Sequence, residues 1–275
     1  MIDKIYIPTL GRVGKQQTFD NLPSFVQDIT VLVVQPQEQE SHKGYPILVL
    51  PEDNIGLAKT RKWIYDYAGE ERWGTLDDDL LFKKRVENWK FPQAPHEEGI
   101  IGEEDWKIIL NGISEWFDND FTFAGFRRGV LPELTNKKEY KDCTESICTV
   151  FFDGSKLPKS DDLIWNYGLL GEDIHLNLQL LLLGYKNRVW DRYVYVNKWA
   201  QPGGVGFVEP DGSTQRTIDS LNRSHEKLVK QYPHYITWRM NEDGSHVKLN
   251  SGSRYDGTKL IKVHWNEAYK SSLLG

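Results

Sequence analysis

The stretch WGTLDDDLLF (residues 73–82) decides the reading of this chain. An apolar run ends on three consecutive aspartates, and the chain resumes through LLF into the basic KKR of residues 83–85. Like charges gathered at the end of a buried strand repel one another, so the arrangement is expected where a cation sits. In an extended segment residues i and i+2 share a face, which predicts that Asp77 and Asp79 converge on one divalent ion while Asp78 points away. Two hard carboxylates suit Mg²⁺ or Mn²⁺, the remaining coordination being left to water and phosphate oxygens. The plain alternative is a solvated acidic turn.

Working outward, KIYIPTLGR (4–12) reads as a first buried strand that stops at Pro8 and opens onto Gly11 and Arg12. ITVLVVQP (29–36) and YPILVLPED (45–53) are continuous apolar runs of the kind a parallel sheet buries on both faces. Between the first two, FDNLPSFV is helical but interrupted by Pro23. NIGLAKTRKWIYDYA (54–68) has helical spacing with Asn54 as its expected cap. Strands alternating with helices predict βαβ units and an α/β fold with a mainly parallel, Rossmann-type central sheet flanked by helices. Ligands of such sheets gather beyond the carboxyl ends of the strands. Thr9, Gly11 and Arg12, then residues 51–54, then the aspartates all fall there.

Residues 83–105 are expected to form a surface loop, and DWKIILNGISEWFD (105–118) a helix. FTFAGFRRGV and CTVFFDGSKL read as strands of a second half, with a smaller sheet on that side. In LGEDIHLNLQLLLLGYKNRVWDRYVYV (170–196) a helix stopped by Gly184 precedes another strand. Glu172 and Asp173 open that helix, where carboxylates favour the dipole; if they face the aspartate turn, one of them is placed to act as a general base. His175 reads as a packing histidine, and Arg127 and Arg128 as a solvated pair or a contact to an anionic acceptor. Beyond residue 197 lie a Gly-rich QPGGVGF that turns or clamps phosphate, a helical TIDSLNRSHEKLVKQYP, and two short strand-like runs.

The 275 residues, 39% hydrophobic, can bury a sizeable core and suit one large α/β domain or two small ones. A net charge of −6 argues against coating nucleic acid by charge alone, though not against a local basic cleft. Ten tryptophans exceed ordinary use and serve either a core or ring-stacking platforms. Cys143 and Cys148 lack zinc-type spacing, seven histidines show no HxH or HExxH pattern, and neither GxSxG nor a Walker A loop occurs. With no signal peptide after Met1-Ile2-Asp3 and no membrane span, a reduced, cytoplasmic protein is expected.

In order, IPTLGR, AKTRKWIYDYA with WGTLDDDLLF, and GEDIHLNLQLLLLGY resemble the nucleotide-sugar glycosyltransferases of the GT-A fold. Within that group the chain is similar to phage-type glycosyltransferases associated with oxidised (5-hydroxymethyl) DNA pyrimidines, through IYIPTLGR, TRKWI, LDDDLLFKKR and the Gly-Gly loop before QRT. The resemblance covers residues 4 to 220 and implies one GT-A-like domain: a nucleotide-sugar half (1–85), an acceptor half (86–210) and a C-terminal segment (211–275). It implies Asp77 and Asp79 as metal and sugar-diphosphate contacts, with Asp78 close to the donor ribose or sugar. The resemblance implies that Thr9, Gly11, Arg12 and Arg61 surround the nucleotide of the donor, expected to be a UDP-sugar. It implies Asp173 as general base, or as an acceptor-positioning carboxylate, with Glu172 beside it. The resemblance also implies a C-terminal histidine as a further metal ligand, and the spacing of His246 and His264 selects neither. The acceptor implied is a hydroxyl of modified DNA, in the host cytoplasm if the gene is a phage's. A polysaccharide or protein acceptor, a nucleotidyltransferase, and a non-catalytic carbohydrate- or nucleic-acid-binding module are the alternatives.

Overall fold

The computed structural model describes residues 1–85, 101–129, 138–165, 171–197, 217–250 and 255–274. Its strands are β1 (Lys4–Pro8), β2 (Thr30–Val34), β3 (Ile47–Val49), β4 (Arg72–Leu76), β5 (Leu80–Lys84), β6 (Phe123–Arg128), β7 (Tyr140–Asp142), β8 (Thr149–Asp153) and β9 (Asn187–Asn197). Two further strands, β10 (Ile236–Trp238) and β11 (Ile261–Val263), form a separate antiparallel pair. The helices are α1 (Gln17–Asp20), α2 (Ser24–Gln27), α3 (Leu57–Ala68), α4 (Glu103–Asp118), α5 (Glu172–Leu182), α6 (Ile218–Gln231) and α7 (Trp265–Ser272).

The main sheet runs in the order β3-β2-β1-β4-β8-β6-β9-β5, with β7 also on β9. The expected α/β architecture is borne out. β3, β2, β1 and β4 are parallel, and β6 runs parallel to β9, while β8, β7 and β5 are antiparallel to their neighbours. The strands of the second half continue the same nine-stranded sheet instead of forming the smaller one expected for them. The helix near residue 20 is split at Pro23 into α1 and α2, as its sequence requires.

Alternation along the strands loads both faces. Ile5, Ile7, Leu76, Leu80 and Phe82 pack with Trp106, Ile109 and Phe117 on one side. Tyr6, Trp73 and Phe152 pack with Ile64, Leu178 and Leu181 on the other, beneath α3 and α5. Trp73, Trp106, Trp116, Trp165 and Trp190 are all buried, so half of the tryptophans serve the core. Among the described residues no helix is long and apolar enough to cross a membrane.

The strand expected to close on the aspartates is β4, and the LLF that follows them opens a separate strand, β5. β4 lies mid-sheet and β5 at the far edge, separated by four strand-to-strand steps, or about 19 Å on a flat sheet. From Leu76 to Leu80 the backbone spans at most about 14 Å. The sheet therefore coils back on itself, and the register jump from Phe126↔Trp190 to Arg127↔Val194 supplies the bend. Asp77–Asp79 is the turn at that fold-back, beyond the carboxyl end of β4.

Candidate functional site: an acidic turn facing an acidic helix start

The loop after β1 grips the acidic turn. Thr9 Oγ1 donates to Asp78 Oδ2 at 2.6 Å, and Arg12 donates to the other oxygen of the same carboxylate. The second guanidinium nitrogen of Arg12 lies 3.2 Å from Asp79 Oδ2. Gln16 Nε2 bonds Thr9 Oγ1 (3.1 Å) and the carbonyl of Arg12 (3.0 Å), which holds the loop in shape. From α1, Thr18 Oγ1 donates to the carbonyl of Asp77 and accepts from Leu80 N–H, while Gln17 Nε2 donates to the carbonyl of Asp79. Gly11, at φ 65°, turns the loop so that its N–H reaches Glu38 Oε1 at 2.7 Å.

The three aspartates lie in the turn past the end of β4, where the period-2 rule stops and each side chain's partners set its direction. Asp78 is the most buried of the three, at 6% exposure, and points into Thr9 and Arg12. Asp77 faces across the sheet to α3, where Arg61 Nη2 lies 3.0 Å from Asp77 Oδ1. Its own N–H is bonded to the carbonyl of Cys148, a residue in the left-handed region at φ 60°.

Arg61 also joins the turn to the start of α5. Its Nη1 lies 3.5 Å from Glu172 Oε1, so one buried guanidinium spans Asp77 and Glu172. The α5 cap is Gly171, in the left-handed conformation at φ 85°, which swings Glu172 and Asp173 into the first turn. Asp173 Oδ1 accepts from Ile174 N–H at 2.7 Å. Asp173 and Arg61 form the polar end of a cleft between α3, α5 and the sheet, walled by Tyr65, Trp73 and Trp165. Its ≈390 Å³ includes open solvent, and the enclosed part has room for little more than water.

Five carboxylates thus surround two arginines. Burial pushes Asp78 up to about 7 against the pull of Arg12 and Thr9. Burial likewise raises Asp77, with Arg61 opposing, and lifts Glu172 to about 7, with Arg61 opposing and Asp173 adding to the rise. Burial works against the Arg61 charge, but Glu172, Asp77 and Asp173 outweigh it and hold the guanidinium above its ordinary range. Asp77 and Asp79 are hard oxygen donors in a locally anionic turn, a donor set that fits Mg²⁺ or Mn²⁺ provided that ligand phosphates and water complete the shell. Among the described residues no group of three His, Cys, Asp or Glu side chains could hold a metal alone. His246 packs on Trp238 and His264 lies beside Thr237, both in the C-terminal unit.

The other residues singled out in the sequence fall into place as follows. His175 is buried on α5 and shares a 2.7 Å hydrogen bond with Tyr232 Oη, a packing role. Arg127 and Arg128 are ion-paired with Asp191 and Glu145. Asn54 is not the α3 cap: that position is Gly56, and Asn54, at φ 56°, gives its N–H to Gln35 Oε1. The Gly-rich loop at 201–207 and most of the 83–105 loop lie outside the described residues. Sequence reading missed Gln16, Gln17 and Thr18, whose only signal is a polar QQT run after the first loop.

Comparison with known proteins bears on this arrangement. Over 271 residues the chain is 21% identical to the beta-glucosyl-HMC-alpha-glucosyl-transferase of enterobacteria phage T2, covering 96% of this chain and 93% of that protein. The T6 protein of the same name matches to the same extent. Among solved structures, S. aureus TarS 1-349 is matched at 12% identity and TM-score 0.44, over 83% of this chain and 66% of that one. TarS in complex with UDP-GlcNAc is matched at 14% identity and TM-score 0.47, over 83% of this chain and 67% of that one. Residues 3–204 match the TET-Associated Glycosyltransferase family, a span that contains the acidic turn, Arg61 and the start of α5. The chain belongs to that family and is a glycosyltransferase.

Proposed function

We propose that the protein transfers a sugar from a UDP-sugar to the hydroxyl of a 5-hydroxymethyl pyrimidine in DNA, with a divalent cation at the acidic turn. The observation that carries this reading is the Asp77–Arg61–Glu172 bridge, which joins a donor-type acidic turn to an acceptor-type acidic helix start within one site. The names of the phage T2 and T6 relatives support the hydroxymethylated acceptor.

In this reading Thr9, Gly11 and Arg12 lie around the nucleotide, with Asp78 holding the loop that carries them. Asp77 and Asp79 hold the cation, which when bound neutralises charge on the donor diphosphate. Arg61 stabilises the charge that grows on the departing diphosphate as the sugar–phosphate bond breaks. Asp173 takes the proton of the acceptor hydroxyl as its oxygen bonds to the anomeric carbon, and Glu172 fixes the position of Arg61.

The test is nucleoside diphosphate release from a panel of nucleotide sugars, with Mn²⁺ or with EDTA, and with duplexes containing either cytosine or 5-hydroxymethylcytosine. Release that requires metal and is accelerated by the hydroxymethylated duplex is expected. Turnover indifferent to the modified base would overturn the DNA acceptor, and pyrophosphate as product would overturn glycosyl transfer from a nucleoside diphosphate sugar.

A further inference from the structure

We propose that Lys83 binds a backbone phosphate of the acceptor DNA, the one beside the nucleotide whose hydroxymethyl group is glycosylated. The inference rests on the DNA-acceptor reading and adds to it a protein residue and a phosphate which that reading leaves unassigned.

Alternation along β5 divides the basic run that follows the aspartates. Leu80 and Phe82 pack with Trp106 and Ile109 on the α4 side, and Lys84 continues that face with its Nζ 2.7 Å from Asp105 Oδ1. Lys83, one position out of step, points to the opposite face of the sheet, the one on which α3 and α5 pack. Strand pairing extends the row, because Lys83 stands opposite Val194 of β9 and Val194 opposite Arg127 of β6. Phe126 belongs to the α4 side, so Arg127 shares the face of Lys83. Arg85, just past the strand, joins Arg127 on the carboxylate of Asp191.

Lys83 differs from every other lysine of the protein in its burial. Among the described residues it is the only lysine in the interior, at 8% exposure, and no hydrogen bond or ion pair reaches it. Asp191, the carboxylate of this cluster, already serves two arginines. Burying a lysine is costly unless an anion meets it, and here burial alone lowers its pKa. Its Nζ is not among the side-chain atoms sealed from the surface without a partner, so an anion can reach it. The packed stem holds the ammonium in place, and a phosphate is the compact anion that such a point charge suits.

The position fits the acceptor better than the donor. The donor diphosphate belongs to the aspartate turn with Arg12 and Arg61, whereas Lys83 lies four residues along β5, at most about 14 Å from Asp79. α5, and with it Asp173, lies on the same face of the sheet, so the proposed base and the Lys83 ammonium approach the acceptor from one side. A base everted from the stack brings its own phosphates to the rim of the site that takes it.

Steady-state kinetics of the full chain on a duplex carrying one 5-hydroxymethylcytosine tests this. Lys83→Met keeps the buried stem without its charge, so its melting temperature should equal or exceed that of the wild type. KM for the duplex should rise at least about tenfold, the size of one lost charge-assisted contact, while KM for the nucleotide sugar stays the same. The slope of log KM against log salt should fall by about 1, the share of a single phosphate contact. Duplexes made neutral by a methylphosphonate at one position in turn locate the phosphate and need no variant. At one phosphate beside the modified base the wild type should show the same rise in KM, and K83M no further rise. An unchanged KM for the duplex in K83M, or losses that multiply at every methylphosphonate position, would overturn the contact while leaving the DNA acceptor standing. A raised KM for the nucleotide sugar in place of the duplex would assign Lys83 to the donor diphosphate and overturn it likewise. A wild type that glycosylates another acceptor and ignores the duplex would overturn both readings.

Discussion

Three adjacent aspartates do three different things. Asp78 anchors the first loop through Thr9 and Arg12, Asp79 shares that arginine, and Asp77 reaches across to Arg61. That carboxylates gather at a strand end was legible in WGTLDDDLLF; which of them turns inward was not, since it depends on a turn whose dihedrals no alternation rule predicts. The family resemblance implied Arg61 around the nucleotide, but its reach to Glu172, 111 positions away, depends on tertiary packing. A lysine keeps the charge but lacks the planar fork that spans two carboxylates. Arg61→Lys is therefore expected to lower kcat about 100-fold with the fold retained, a loss the size of one removed electrostatic stabiliser. A wild-type kcat in that variant would show that the bridge is not used in turnover.

At the scale of elements, continuous apolar runs gave β1, β2 and β3 correctly, because strands buried on both faces need no alternation to be recognised. The helix α5, with Gly184 at its stop, was equally plain. The separation of β5 from β4 was hidden, as strand order is set by pairing with β9, over a hundred residues later. The Asn54 cap failed because Gln35, a neighbour in space only, claims its N–H. The joint between α5 and α6 carries a pH signature. Burial, helped by Lys227, lowers the His175 pKa to about 4 from the ordinary 6.5. Since this folded-state value lies below the unfolded one, the neutral ring contributes stability that is full above pH 6.5 and is lost as pH falls toward 4. Buried Asp77, Asp78 and Glu172, whose values are raised, act in the opposite sense, so the comparison must be with a variant. Urea melts of wild type and His175→Gln are expected to show a stability gap at pH 7.5 that narrows by pH 4.5. A gap that is constant with pH would contradict the buried neutral histidine.

Over the whole molecule, a coiled sheet brings the end of β4 against the start of α5, and the C-terminal unit is fastened to α5 through Tyr232 and His175. The alternation of strands and helices indicated the α/β class, composition left the tryptophans open between core and platform, and the net charge of −6 masked the division between an acidic first 216 residues and a basic remainder. The central claim is that the acidic turn works on an activated sugar's diphosphate. The most direct measurement is the steady-state rate of nucleoside diphosphate release by Asp79→Asn, with saturating Mn²⁺ and a 5-hydroxymethylcytosine duplex. The account predicts a kcat at least about 100-fold below wild type at an unchanged melting temperature; turnover at the wild-type rate would contradict it.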